Sequence, residues 1–293
     1  DWVKAKGTTL GADNGIGVAA IMALLASTDI AHPPIEALFT IDEETGMTGA
    51  KGLVGGLLNG TILLNLDTED DDELTIGCAG GIDVTCTGEY LQEKPKGDLS
   101  LKISIKGLTG GHSGVDIQKG RANANKLMNR LLWELSKDFS IEIATIDGGS
   151  LRNAIPRESV AEIVLDKKKH NELKEAVTKF EKTIKAEHSF TDASLEVKLE
   201  NTVAVRNVMN ADFQYKFLRS MYACPNGIYR MTPEIEGLVQ TSNNIAKVLV
   251  KEGKLSVQCL TRSSVDTEKT DLANAITSAF ELIGASIEFG GNY

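Results

Sequence analysis

Ile35-Glu36-Ala37-Leu38-Phe39-Thr40-Ile41-Asp42-Glu43-Glu44 is a β-rich run that ends in three carboxylates, and its reading decides the fold class. Ile35–Ile41 has the length and the β-branched and aromatic content of a strand. Thr48–Leu58 is a Gly-rich helix candidate, and Thr61–Leu66 is a second short strand followed by Asp67. Strand, helix, strand at this spacing is a parallel crossover unit. Upstream, Asn14–Ser27 is expected to be a helix that begins after an Asp-Asn-Gly turn. Val18, Ala19, Ile21, Met22, Leu24 and Leu25 make it apolar nearly all round, which predicts burial against a sheet. Residues 1–80 therefore read as α/β, with a parallel-rich sheet and helices.

From Gly81 the texture changes. Strand-like alternation at Ile82–Thr87 and Leu101–Ile105 is followed by a helix over Ala122–Leu135 and strands over Ile141–Ile146 and Ser159–Leu165. An amphipathic helix over Asn171–Ala186 and a strand over Leu195–Leu199 close a β-α-β-β-α-β unit. The pattern of elements then recurs. Ala211–Tyr222 is a helix, Gly227–Met231, Thr241–Val250 and Lys254–Leu260 are strands, Thr267–Ile283 is a helix, and Ala285–Phe289 is a strand. Two tandem open-faced α/β sandwich halves over residues 81–293 suit this order, making a second, α+β domain.

The 293 residues carry a formal net charge of −10, which argues against a nucleic-acid phosphate binder. No apolar run reaches membrane-spanning length and no secretory signal is present, so a cytoplasmic protein is expected. Cys78, Cys86, Cys224 and Cys259 have no CxxC spacing and read as structural thiols. The chain begins without Met, at Asp1-Trp2-Val3, and stops just after an apolar run, so both ends read as boundaries of a fragment.

The acidic residues matter because of where they fall. Asp13 precedes a buried-type helix, Asp42-Glu43-Glu44 follows one expected strand, and Asp67 follows the other. In an open parallel sheet, ligands bind outside the carboxyl ends of the strands. Gathered carboxylates repel one another unless a cation sits among them, and no Lys or Arg lies within these motifs. A divalent metal is the economical answer, although acidic loops can also be merely solvated. Of the adjacent pair Glu43-Glu44, one carboxylate can hold the metal while the other takes a proton from water. Composition leaves open which does which.

Gly11-Ala12-Asp13-Asn14-Gly15-Ile16-Gly17, Phe39-Thr40-Ile41-Asp42-Glu43-Glu44-Thr45-Gly46 and Leu64-Asn65-Leu66-Asp67-Thr68-Glu69 resemble, in order and spacing, the metal-site motifs of M20 metallopeptidases. The resemblance extends over the whole chain, and it is nearest to the aminoacyl-histidine (Xaa-His, carnosine-hydrolysing) dipeptidase group. It implies that Asp13 bridges two zinc ions, Glu44 binds one, Asp67 binds the other, and Glu43 is the general base. Cobalt or manganese are alternatives to zinc. Two further ligands in the family are histidines, one in a His-x-Asp motif before the bridging aspartate and one near the C-terminus. This chain has neither, so as given it is expected to be inactive by itself. Residues 1–80 would be part of the catalytic domain, and residues 81–293 the lid that closes on substrate and can support a homodimer.

Within that lid, Gly110-Gly111-His112-Ser113-Gly114 resembles the family's histidine loop, whose imidazole steadies the oxyanion. Arg152-Asn153-Ala154-Ile155-Pro156 resembles the segment that supplies a substrate-contacting asparagine, here Asn153. Thr261-Arg262-Ser263-Ser264 resembles the segment whose arginine pairs with the dipeptide's carboxylate, a geometry suited to a guanidinium fork. The expected activity is metal-dependent hydrolysis of small peptides, Xaa-His dipeptides foremost. An aminotripeptidase, an N-acyl amino-acid deacylase, or a non-catalytic binding or assembly module are the alternatives.

Overall fold

The computed structural model describes residues 3–7, 10–43, 47–67, 72, 74–75 and 77–293. The chain divides into two compact units, Asp1–Ile76 and Gly77–Tyr293.

The first unit holds two helices among its described residues, α1 (Gly15–Ala26) and α2 (Thr48–Lys51). α1 starts where the side chain of Asn14 accepts the N–H of Gly17 at 2.7 Å, an N-cap that satisfies one of the open donors of the first turn. α2 is a single turn with Gly52 as its C-cap, shorter than the expected helix to Leu58, because glycines at 52, 55 and 56 cannot sustain it. Ile35–Ile41 and Thr61–Leu66 are not strands, and no sheet forms among the described residues of this unit. Their β-branched composition suits a pleated surface, but a ladder also needs a partner. The two segments are joined instead through Glu36, whose carboxylate accepts from the N–H groups of Gly60 (2.6 Å) and Asn59 (2.8 Å). These main-chain bonds hold the Glu36 carboxyl below its ordinary pKa. The expected burial of the first helix is also not seen. Ile16 is 81% exposed and Met22 61%.

The second unit is built around one large antiparallel sheet. Its first half comprises β3 (Leu99–Lys106), α3 (Ala124–Phe139), β5 (Glu142–Gly148), β7 (Ser159–Leu165), α4 (His170–Glu187) and β8 (Glu196–Asn201). The second comprises β1 (Gly80–Glu89), α5 (Ala211–Ala223), β11 (Val239–Lys251), β12 (Lys254–Ser263), α6 (Asp266–Glu281) and β13 (Ser286–Gly290). The sheet order is β13-β1-β12-β11-β5-β7-β3-β8, so each half contributes four strands in the same relative order. The second half takes its first strand from β1, and the first half is therefore nested within it along the chain. The halves meet where β11 pairs with β5, Val248 opposite Gly148 and Val250 opposite Ile146. β10 (Gly227–Met231) adds to the outer part of β11. Four two-residue pieces complete the sheet elements: β2 (Gln92–Glu93) pairs with β9 (Val208–Met209), and β4 (Gly111–His112) with β6 (Ala154–Ile155).

Alternation explains the core. β3 buries Leu101, Ile103 and Ile105 and turns Lys102 and Lys106 outward, to exposed ion pairs with Glu200 and Glu196 of β8. α3 brings Leu127, Met128, Leu131, Leu132 and Leu135 onto one stripe, and α6 brings Leu272, Ile276 and Phe280. α3 and α5 are capped by Asn123 and Asn210, which accept the N–H groups of Asn125 and Phe213. Cys86, Cys224 and Cys259 are free thiols buried in this core; burial pushes the Cys86 thiol up in pKa, and the hydrogen bond with Cys259, followed by burial, does the same for Cys224. No described helix is long and apolar enough to cross a membrane.

Candidate functional site

In the first unit, Asp13 and Asp67 are exposed carboxylates on two chain segments that are tied together. The side-chain amide of Asn14 donates to the carbonyl of Leu66, so the residue after Asp13 is bonded to the residue before Asp67. Asp67 is set by its own neighbour, since its N–H donates to Asn65 Oδ1 at 3.0 Å. The Glu43 carbonyl accepts the Met47 N–H at 3.1 Å, and Thr48 Oγ1 donates to the Asp42 carboxylate. Glu44 lies outside the described residues. A zinc site ordinarily takes four ligands. Among the described residues no three His, Cys, Asp or Glu side chains converge as a metal site. Asp13 and Asp67 suit a divalent cation chemically, but the described residues do not complete a donor set.

In the second unit, three expected site residues come together from segments far apart in sequence. β4 and β6 pair His112 opposite Ala154, which brings the histidine loop beside Asn153. Ser113 N–H then donates to the Asn153 carbonyl at 2.7 Å. Arg262, near the end of β12, reaches the same loop. A Cβ on Gly114 would lie 3.1 Å from His112 Cε1 and 3.2 Å from Arg262 Nε, so a side chain there would press on both.

The imidazole of His112 is oriented by main chain. Its Nδ1 accepts the N–H groups of Gly114 (3.3 Å) and Val115 (3.2 Å). A nitrogen that accepts carries no proton, so the neutral ring holds its hydrogen on Nε2. An Nε2–H donor is what stabilising a developing oxyanion requires. The loop's fold is secured by Asp116, whose Oδ2 accepts the His112 N–H at 2.8 Å. Lys119 lies 2.6 Å from Asp116 Oδ1, and Arg121 is 3.2 Å from Oδ2 while donating to the Gly110 carbonyl at 2.6 Å. The bond from Lys119, with help from the His112 N–H, holds the Asp116 carboxyl below its ordinary pKa.

The segment carrying Asn153 is clamped on both sides. Arg152 donates from Nη2 to Thr85 Oγ1 at 2.7 Å and lies 3.4 Å from Asp83. Asn244, 1% exposed, donates to the carbonyls of Ala154 (2.8 Å) and Arg152 (3.3 Å) and accepts from Asn123 at 3.2 Å. Asn153 itself is left exposed. Asp116, Arg121 and Asn244 were not identifiable as site-building residues from sequence. The only hint was a run of charge just after His112.

Residues 103–192 match the M20 peptidase dimerisation domain. The whole chain is 40% identical to the cytosol non-specific dipeptidase of Escherichia coli (strain K12), of which it covers 61%. It is also similar, over its full length, to the crystal structure of aminoacylhistidine dipeptidase from Vibrio alginolyticus, at 44% identity and a TM-score of 0.84, and covers 60% of that chain. A further relative, the uncharacterized protein YqjE of Bacillus subtilis (strain 168), is 28% identical over 53% of this chain and 39% of its own length. The chain thus spans about three fifths of the dipeptidases it matches, at 61% and 60% of their lengths. The chain is similar from end to end to two dipeptidases and carries a match to the peptidase dimerisation domain over residues 103–192.

Proposed function

We propose that this chain is the substrate-closing part, and a portion of the catalytic part, of a cytoplasmic metallo-dipeptidase whose substrates include Xaa-His dipeptides. The observation that carries the reading is the convergence of His112, the Asn153 segment and Arg262 on one loop of the second unit. A dipeptide has a scissile carbonyl and, one residue on, a free carboxylate. His112 offers an Nε2–H to the first and Arg262 a guanidinium fork to the second, with Asn153 beside them for the adjoining backbone. Glu43 is assigned the proton that leaves the attacking water and goes to the departing amine. Asp13, Glu44 and Asp67 are assigned to a divalent cation, zinc foremost with cobalt or manganese as substitutes, and its Lewis acidity when bound is the contribution it would make. Residues 1–80 are then part of the catalytic domain and 81–293 the lid. The dimerisation domain over residues 103–192 supports a homodimer.

The test is a rate comparison, on the full-length enzyme of which this chain is proposed to be part, with a free dipeptide, a tripeptide and an N-acyl amino acid. The dipeptide should give the highest kcat/KM, and Glu43→Gln should cut kcat by about 10²–10⁴ on it. A preference for the N-acyl amino acid would replace this reading with a deacylase. Turnover of none of the three would leave a binding module.

A further inference from the structure

Tyr293 stands where three interactions cross in the second unit. Its main chain pairs with Gly81 in both directions: Gly81 N–H donates to the Tyr293 main-chain oxygen at 3.2 Å, and Tyr293 N–H donates to the Gly81 carbonyl at 3.1 Å. The ammonium of Lys269, a residue only 4% exposed, donates to the same Tyr293 oxygen at 2.8 Å. Asp266 lies 3.0 Å from that ammonium and balances its charge. The Tyr293 hydroxyl in turn accepts from Arg262 Nη1 at 2.8 Å.

That last bond decides how Arg262 presents itself. A guanidinium has two usable edges for a carboxylate, and the edge formed by Nε and Nη2 is the one opposite Nη1. Tyr293 occupies Nη1. Nε is buried and has no hydrogen-bond partner, and it faces the loop of Gly114 and His112. An arginine without a fixed acceptor samples many rotamers and gives up that freedom on gripping a ligand. We propose that Tyr293 is a positioning residue for Arg262, holding Nη1 and so fixing the guanidinium beside the His112 loop to receive the free carboxylate of a dipeptide. This rests on the reading of Arg262 as the group that pairs with that carboxylate.

The experiment measures kcat and KM of the full-length enzyme on a dipeptide and on its C-terminal amide, for wild type, Tyr293→Phe, Arg262→Ala and the double variant. Phe keeps the ring and removes only the acceptor. Tyr293→Phe should lower kcat/KM on the free dipeptide about fivefold, the worth of one hydrogen bond, through KM, and leave the amide unchanged. In the Arg262→Ala background the same change should do nothing further. If Arg262→Ala abolishes the preference for acid over amide but Tyr293→Phe leaves it intact, the positioning role is overturned while the carboxylate reading stands. If Arg262→Ala leaves that preference intact, the carboxylate reading falls and the positioning role with it. Equal losses on acid and amide in Tyr293→Phe would mean that the tyrosine only supports the lid's fold, which also overturns the inference. Gly81→Ala supplies an independent variant, since a Cβ there would lie 2.7 Å from the phenol oxygen. It should shift the acid-to-amide ratio in the same direction, and an unchanged ratio in the folded variant counts against the proposal.

Discussion

The N–H of Ser113 donates to the carbonyl of Asn153 at 2.7 Å, which fastens the histidine loop to a segment forty residues downstream. One residue to either side, His112 and Ala154 are paired as neighbours in a two-strand ladder. The exposed side chains of His112 and Asn153 therefore stand on backbone that is fixed by hydrogen bonds, which is how a loop can hold a catalytic geometry.

Asn244 should be the keystone of that backbone. It is buried and bonds the carbonyls on both sides of Asn153. Asn244→Ala takes from those carbonyls their side-chain donor, at a cost of about 1–3 kcal/mol in unfolding free energy. Denaturant titration checks this. A change within about 0.5 kcal/mol, the range of ordinary surface substitutions, would mean that the segment is held by other contacts.

The proton of His112 should sit on Nε2. Nitrogen chemical shifts of the imidazole read the tautomer directly, and Nδ1 should show the signature of an unprotonated, accepting nitrogen. A protonated Nδ1 in the neutral ring would remove the basis for an oxyanion donor at this position. His112→Ala in the full-length enzyme should lower kcat by about 10²–10³, the loss seen when one oxyanion donor is deleted.

Acid should loosen the histidine loop through Asp116. Its pKa in the fold lies below the ordinary 3.8, first because of the bond from Lys119. A depressed carboxylate contributes stability above its unfolded pKa, and that contribution is lost as pH falls through the lower, folded value. Wild type should therefore lose thermal stability below about pH 4 more steeply than Asp116→Asn, which has no charge to lose. Parallel melting curves for the two proteins between about pH 6 and pH 3 would show that the bonds of Asp116 contribute nothing measurable.

Local pattern carried much of the second unit into view. Period-2 alternation marks β3 and β7, and helical stripes mark α3 and α4, because each buries one face against a core inside the same unit. Pairing was not legible. β1 joins β12, whose residues follow it by more than 160 positions, and no local signal reports that Gly80 faces Ser263. For the same reason Ile35–Ile41 read as a strand from its side chains, although no ladder partner lies beside it among the described residues. The glycines flanking His112 were readable as a tight loop. The bond from Arg262 to Tyr293 was not, since it depends on the last residues crossing back over the start of β1.

The most direct test of the proposed function is the discrimination between a free dipeptide and its amide by wild type and by Arg262→Ala in the full-length enzyme. Wild type should prefer the acid, and Arg262→Ala should lose roughly 2–4 kcal/mol of transition-state stabilisation on it, one and a half to three decades in kcat/KM. On the amide, which has no charge to pair, the variant should lose little. An equal loss on both substrates would contradict the reading, and would make Arg262 a structural residue of the lid.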